Sequence, residues 1–168
     1  MRDRNITEAR RTFGALLRLP YEALQARVYG GLAARGFPEI RPAHSSVFRH
    51  IAAGGSRLTD LAARAGMTKQ SMAYLVESLE RGGFLSTIPD PADGRAKLVR
   101  LTASGRRVWN ALIALSGEAE AALAERMGRE RFALLRTLLE EASAASSGEA
   151  VPASGMPESN VAAGRRAR

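Results

Sequence analysis

The stretch "LTDLAARAGMTKQSMAYLVESLERGGFL" at 58–85 limits the fold more than any other part of the chain. Thr59 is a good N-cap and predicts a short helix over 60–65. Gly66 stands where a left-handed residue is needed to end that helix. Thr68 then caps a second helix over 69–81. Met72, Leu75, Val76 and Leu79 give it the i, i+3, i+4, i+7 apolar stripe of a half-buried helix. Gly82 and Gly83 stop it. Two helices joined by a tight glycine-containing turn form a helix-turn-helix.

The next segment is not helical. "FLSTIP" and "KLVRL" read as two short strands around a charged tip at 90–96, and so predict a hairpin. Pro89, Pro91 and Gly94 shape the tip, and Asp93, Arg95 and Lys97 charge it. A helix-turn-helix and then a two-stranded hairpin is the element order of a winged helix.

The flanks are helical. Residues 1–19 carry a weak apolar stripe of Phe13, Leu16 and Leu17. Pro20 suits the first turn of a separate helical piece, where its missing N–H does no harm. Leu24, Val28 and Leu32 recur along that piece, and Gly36 and Pro38 end it. Pro42 opens a helix with Val47, Phe48 and Ile51 on its apolar side. Thr102 caps a long helix, and a last one over 129–142 carries Phe132, Leu134, Leu135, Leu138 and Leu139. The remainder, 143–168, is rich in Ala, Ser, Gly and Pro without periodicity, which predicts a disordered tail.

Charge points to a partner. The 168 residues carry a net charge of +8, and residues 41–107 hold 11 Arg/Lys against 5 Asp/Glu. The excess therefore sits on the segment that holds the helix-turn-helix and hairpin, and a polyanion is its direct complement. With Met72, Leu75, Val76 and Leu79 turned inward, the opposite face of the 69–81 helix presents Gln70, Ala73, Tyr74 and Glu77. Gln70 has the paired donor and acceptor that match adenine in the major groove of double-stranded DNA. Thr68, Lys69 and Ser71 lie at the helix start, within reach of phosphates and helped by the helix dipole. Tyr74 shares the reading face, whereas Glu77 would repel phosphate. The hairpin tip, with Arg95 and Lys97, would enter the adjacent minor groove, where a long cation senses groove width.

With these elements in order, the sequence resembles the multiple-antibiotic-resistance regulator (MarR) family of bacterial transcription factors. The resemblance rests on the 58–85 stretch and above all on "DPADGRAKLVRLTASG", and covers residues 13–142. The family's wing pattern is an Asp, one residue, an Arg, then a strand ending in Leu-Thr and a Gly: here Asp93, Arg95, Leu101, Thr102 and Gly105. The resemblance implies a mainly α fold over 1–142. It has a winged helix-turn-helix DNA-binding lobe at about 41–101 and a helical dimerisation lobe from N- and C-terminal helices at about 8–36 and 103–142. It also implies a homodimer on a pseudo-palindromic operator, with Arg95 as the minor-groove arginine. Asp93 would position Arg95 through a salt bridge or hold the wing tip. A small, often aromatic effector would bind a cleft between the lobes, bordered by Tyr21, Tyr29, Phe48 and Trp109, and His44, just after Pro42, would either line that cleft or cap the turn. The expected activity is repression released by that effector.

Other classes fare worse. The chain has no cysteine, no paired-carboxylate pattern, no Gly-rich phosphate loop and no Gly-x-Ser-x-Gly, so the expectation is a protein that is not an enzyme and needs no cofactor. His44 and His50, the only histidines, are not at the i, i+4 spacing of a helical metal site, and no metal is expected. No apolar run reaches the ~20 residues of a membrane span and the N-terminus lacks a signal-peptide core, so the cytoplasm is expected. The rival reading is a winged-helix module that binds protein rather than DNA. Such a module would not need a basic tip or a polar outer helix face.

Overall fold

The computed structural model describes residues 12–147, which fall into two compact units dividing after Ala122. Helix α1 (Phe13–Ala34) begins at Thr12, whose side chain accepts from the Ala15 N–H. It is one continuous helix with Pro20 inside, not two pieces meeting at Pro20. The proline removes one N–H, but Leu16, whose carbonyl loses that donor, is exposed and its carbonyl can be hydrated. Val28 and Leu32 are the buried points of α1.

A 3-10 turn (Pro42–His44) leads into α2 (Ser45–His50), followed by α3 (Leu58–Arg64) and α4 (Lys69–Arg81). The cap of α3 is Arg57, not Thr59, which lies inside the helix. Arg57 is extended and its side chain cannot cap the helix, because a guanidinium has no acceptor; it donates to Asp90 of the hairpin instead. Gly66 turns the chain from α3 to α4 with φ +61°, a conformation that disfavours any side chain. Met72, Leu75, Val76 and Leu79 of α4 are buried as the stripe predicts. They meet Val47, Phe48, Leu61 and Phe84 in one core.

Strands β1 (Leu85–Asp90) and β2 (Asp93–Leu101) form an antiparallel hairpin, and Ser56 adds a single bridge to Val99 at its root. The tip is more ordered than an open loop over 90–96. Pro89 faces Lys97 while Asp90 faces Asp93. The shift leaves Gly94, Arg95 and Ala96 unmatched on β2, a bulge behind a two-residue turn. Bulges re-aim side chains, and this one carries Arg95.

Helix α5 (Ala103–Met127) starts at Thr102, whose hydroxyl oxygen accepts from the Gly105 N–H at 3.0 Å. Gly31 allows α1 and α5 to approach closely: a Cβ there would stand 2.3 Å from a Leu115 methyl. Helix α6 (Arg129–Ser147) runs past residue 142, so 143–147 are helical and not part of a tail. The Ala/Ser pattern at its end satisfies helix propensity although it lacks an apolar stripe. The expected tail at 148–168 lies outside the described residues. No residue of α6 is buried, and Leu134 is 61% exposed.

Candidate nucleic-acid interface and ligand cleft

Two elements present the polar and basic residues singled out by the sequence. On α4, Thr68 is the N-cap, its side-chain oxygen accepting from the Ser71 N–H at 3.1 Å. Its hydroxyl lies 2.8 Å from the Ser71 hydroxyl, so these two groups are first of all partners of each other. Lys69, Gln70 and Tyr74 are exposed, Tyr74 by 66%. Gln70, Ser71 and Tyr74 border a shallow groove whose other wall is Ala43 and Ser46. The apolar stripe thus fixes which face of α4 stays in water, and the N-cap fixes where that face begins.

The wing presents Arg95 and Lys97, both exposed. Its tip is clamped by Arg57 and Asp90, neither of which the sequence pattern singles out. Arg57 donates from Nε and Nη2 to Asp90 Oδ2 at 3.0 and 2.8 Å, and from Nη2 to Asp93 Oδ2 at 3.4 Å. Asp90 Oδ1 accepts from the Ala92 N–H at 2.9 Å. That backbone hydrogen bond, then the guanidinium, holds the Asp90 carboxyl below the usual carboxylate range. Asp93 does not salt-bridge the Arg95 side chain. It faces Arg57, and its Oδ1 accepts from the Arg95 backbone N–H at 3.2 Å. Of the two roles expected for Asp93, the geometry has the tip-holding one. Among the described residues the Arg95 guanidinium forms no ion pair, so it is held at its backbone and open at its charge.

No sequence spacing could have found Arg57, because its partner lies 33 positions away. One signal existed: two aspartates close together at a tight tip need a cation nearby.

A separate cleft of about 550 Å³ lies among α1, α2 and α5. Tyr21, Tyr29, Phe48 and Trp109 line it. His44 does not. It is buried with Nδ1 accepting from the Arg41 N–H at 3.1 Å, so it caps the 42–44 turn instead. Burial, then the charge of Arg41, lowers its pKa from 6.5, which keeps the ring neutral and Nδ1 able to accept. Arg49 also lines the cleft, a cation the sequence pattern did not reveal although it stands one turn after Ser45 on the same helix face. The Tyr29 phenol hydrogen-bonds the Ser45 side chain, and burial raises its pKa despite that bond. The wall is therefore largely apolar, with four aromatic side chains among aliphatic ones, one arginine, Arg49, and one acidic residue, Glu120. Among the described residues no group of three or more His, Asp or Glu could hold a metal ion, and no helix is long and apolar enough to cross a membrane.

A helix-turn-helix whose second helix shows a polar face, with a clamped basic hairpin beside it, defines a winged helix-turn-helix protein. Comparison with known proteins agrees. Residues 40–96 match the MarR family. Over 64 residues, 38% of the chain, it is 38% identical to the transcriptional activatory protein BadR of Rhodopseudomonas palustris, and the match spans only 37% of that protein's length. CouR from Rhodococcus jostii RHA1, bound to p-coumaroyl-CoA, is similar in structure with a TM-score of 0.61 and 26% identity, over 78% of this chain and 91% of CouR. The transcriptional repressor CouR bound to a 23-mer DNA duplex gives 0.62 and 26%, over 82% and 96%. The MarR-family match thus covers the helix-turn-helix and wing, and the fold resembles that of solved winged-helix transcriptional regulators.

Proposed function

We propose that the protein binds double-stranded DNA in a sequence-dependent way as a homodimer on a pseudo-palindromic operator, and represses transcription there until a small aromatic ligand releases it. One observation carries the DNA reading: a polar, exposed α4 face and an Arg95 that has no ion pair among the described residues, projected from the clamped wing, occur together. In this reading Gln70 and Tyr74 face base edges in the major groove, Lys69, Thr68, Ser71 and Lys97 face phosphates, and Arg95 enters the minor groove.

The dimer reading is supported by apolar surface. Phe13, Leu16 and Leu17 of α1, and Leu134, Leu138 and Leu139 of α6, are exposed far beyond what an isolated helix face needs. Repression is favoured because the repressor CouR is similar over four fifths of the chain, whereas the activatory protein BadR matches 38% of it. The aromatic lining of the cleft supports an aromatic ligand, as does the p-coumaroyl-CoA bound to CouR. The cytoplasm is the compartment in which such a protein meets DNA.

A gel shift with promoter fragments and random-sequence DNA tests the reading. Binding at low salt, weakened steeply by added salt, is expected. No binding at low salt would leave the winged-helix protein-interaction module as the better account. A thermal-shift screen of aromatic acids tests the cleft, where a raised melting temperature is expected and should be lost in Arg49→Ala.

A further inference from the structure

A second cavity, of about 360 Å³, lies between the wing and the start of α5. Its walls come from three places. Ser86 and Ile88 of β1 and Arg100 of β2 face it from the hairpin; Ser86 pairs with Arg100 in the register, so they share one side of the sheet. Ala53 closes one end from the turn after α2. Arg106 and Trp109 face it from α5, three residues apart and so on one helix face.

The chemistry of this lining is one-sided. Two arginines border one small space, and no acidic residue lines it. Among the described residues neither Arg100 nor Arg106 forms an ion pair. Arg106 is nevertheless oriented, because it donates from Nη1 to the Leu101 carbonyl at 3.1 Å. The stem of Arg100 lies over Gly55, where a Cβ would meet its Cγ at 2.7 Å. Ser86 adds a hydroxyl, while Ile88, Ala53 and the Trp109 ring make the rest of the wall apolar.

These arginines stand apart from the DNA-reading end of the wing. Arg100 lies five positions beyond Arg95, roughly 17 Å along an extended strand. Trp109 lines both this cavity and the larger cleft, so one ring borders two spaces.

We infer that the wing-base cavity is a binding site for a small organic anion, whose charged group is held between Arg100 and Arg106 and whose apolar body rests on Trp109 and Ile88. Paired guanidiniums suit a carboxylate through charge-assisted hydrogen bonds, and the apolar half of the wall disfavours a fully hydrated inorganic ion. The site itself does not depend on the DNA-binding reading.

Trp109 is the only tryptophan, so the ¹⁵N-labelled full chain gives one indole N–H signal that reports directly on this wall. The signal is followed during titration with benzoate and, separately, with inorganic phosphate at matched ionic strength. A saturable shift with benzoate and a much weaker response to phosphate are expected. Arg100→Ala/Arg106→Ala should weaken that phase roughly tenfold or more, and Ser86→Phe, which fills the space and keeps both arginines, should abolish it. Arg49→Ala, in the other cleft, should leave it in place. A benzoate response indifferent to both sets of wing-base changes, no saturable response, or a response to phosphate alone overturns the inference. So does a drop of about two in the salt slope of DNA binding in the double arginine variant, since that would make both arginines phosphate contacts.

Discussion

Gly105 is the point where three elements are fastened together, and replacing it with alanine is a sharp test of that packing. It occupies the first turn of α5, with its Cα against the backbone that joins α4 to the wing. An added Cβ would stand 2.0 Å from the Phe84 carbonyl oxygen, 3.0 Å from its carbon and 3.2 Å from a Leu101 methyl. Carbon and oxygen approach without strain only to about 3.3 Å, so α5 and residue 84 must separate by roughly 1 Å. Neither side is a flexible side-chain end. The same shift strains the hydrogen bonds from the Thr102 hydroxyl to the Gly83 carbonyl (2.7 Å) and from the Thr102 N–H to the Phe84 carbonyl (3.1 Å). Overpacking costs about 1–3 kcal/mol, offset by up to about 1 kcal/mol of better helix propensity. A net loss of about 1 kcal/mol corresponds to a fall of ~2–4 °C in melting temperature for a chain of this size. Gly30→Ala in α1 is the control: nothing lies within 4 Å of its added methyl, so the same change should stabilise by about 0.5–1 kcal/mol. Thermal unfolding of both variants therefore moves in opposite directions. A Gly105→Ala protein as stable as the parent would refute the tight backbone contact.

The wing and the 42–44 turn give further expectations. Arg95→Ala should leave thermal stability unchanged, because the side chain is exposed and unpaired, yet weaken operator binding by ~1–3 kcal/mol, most at A·T-rich flanks. Equal binding would mean the wing does not reach the groove. Arg57→Ala should free the tip, seen as faster amide exchange at Ala92 and Arg95, and should weaken DNA binding although Arg57 itself need not touch DNA; unchanged exchange would show that the clamp does not order the tip. His44 has a folded pKa lowered below its unfolded value of 6.5, so the unfolded chain binds the extra proton. Its contribution is complete above about 6.5 and lost as pH falls from there toward the folded pKa. Melting temperature should fall less over that window in His44→Gln than in the parent, and parallel curves would remove this role. Gln70→Ala should relax sequence preference more than overall affinity. A uniform loss across DNA sequences would instead assign Gln70 to a phosphate.

The parts of the fold that were legible in the sequence are those set by local rules. The α4 stripe, the Thr68 and Thr102 caps, the Gly66 turn and the hairpin each depend on residues within a few positions of one another. Pro20 was misleading because its usual role as a helix starter is only a preference, and an exposed site in a long helix tolerates it. Thr59 looked like a cap, but the residue that precedes the helix in extended geometry is Arg57, whose side chain donates to aspartates more than thirty residues later. The bulge that projects Arg95 also escaped, since strand propensity does not encode register. At the larger cleft, the family resemblance pointed to four aromatic wall positions, while Arg49 became visible only once α1, α2 and α5 were placed together; His44 takes the local capping role, one of the two its place after Pro42 allowed. The second cavity is of the same kind: nothing in the sequence singles out Arg100 and Arg106, and they meet Trp109 only in the fold.

If α4 and the wing act together as two reading elements on DNA, both must leave their mark on one operator. Hydroxyl-radical footprinting on a fragment selected from genomic DNA tests this most directly. Two protected half-sites about one helical turn apart are predicted, each with a flanking minor-groove protection that Arg95→Ala removes while the inner protection stays. A footprint with no flanking minor-groove protection, or one that Arg95→Ala leaves intact, would contradict the joint role of helix and wing.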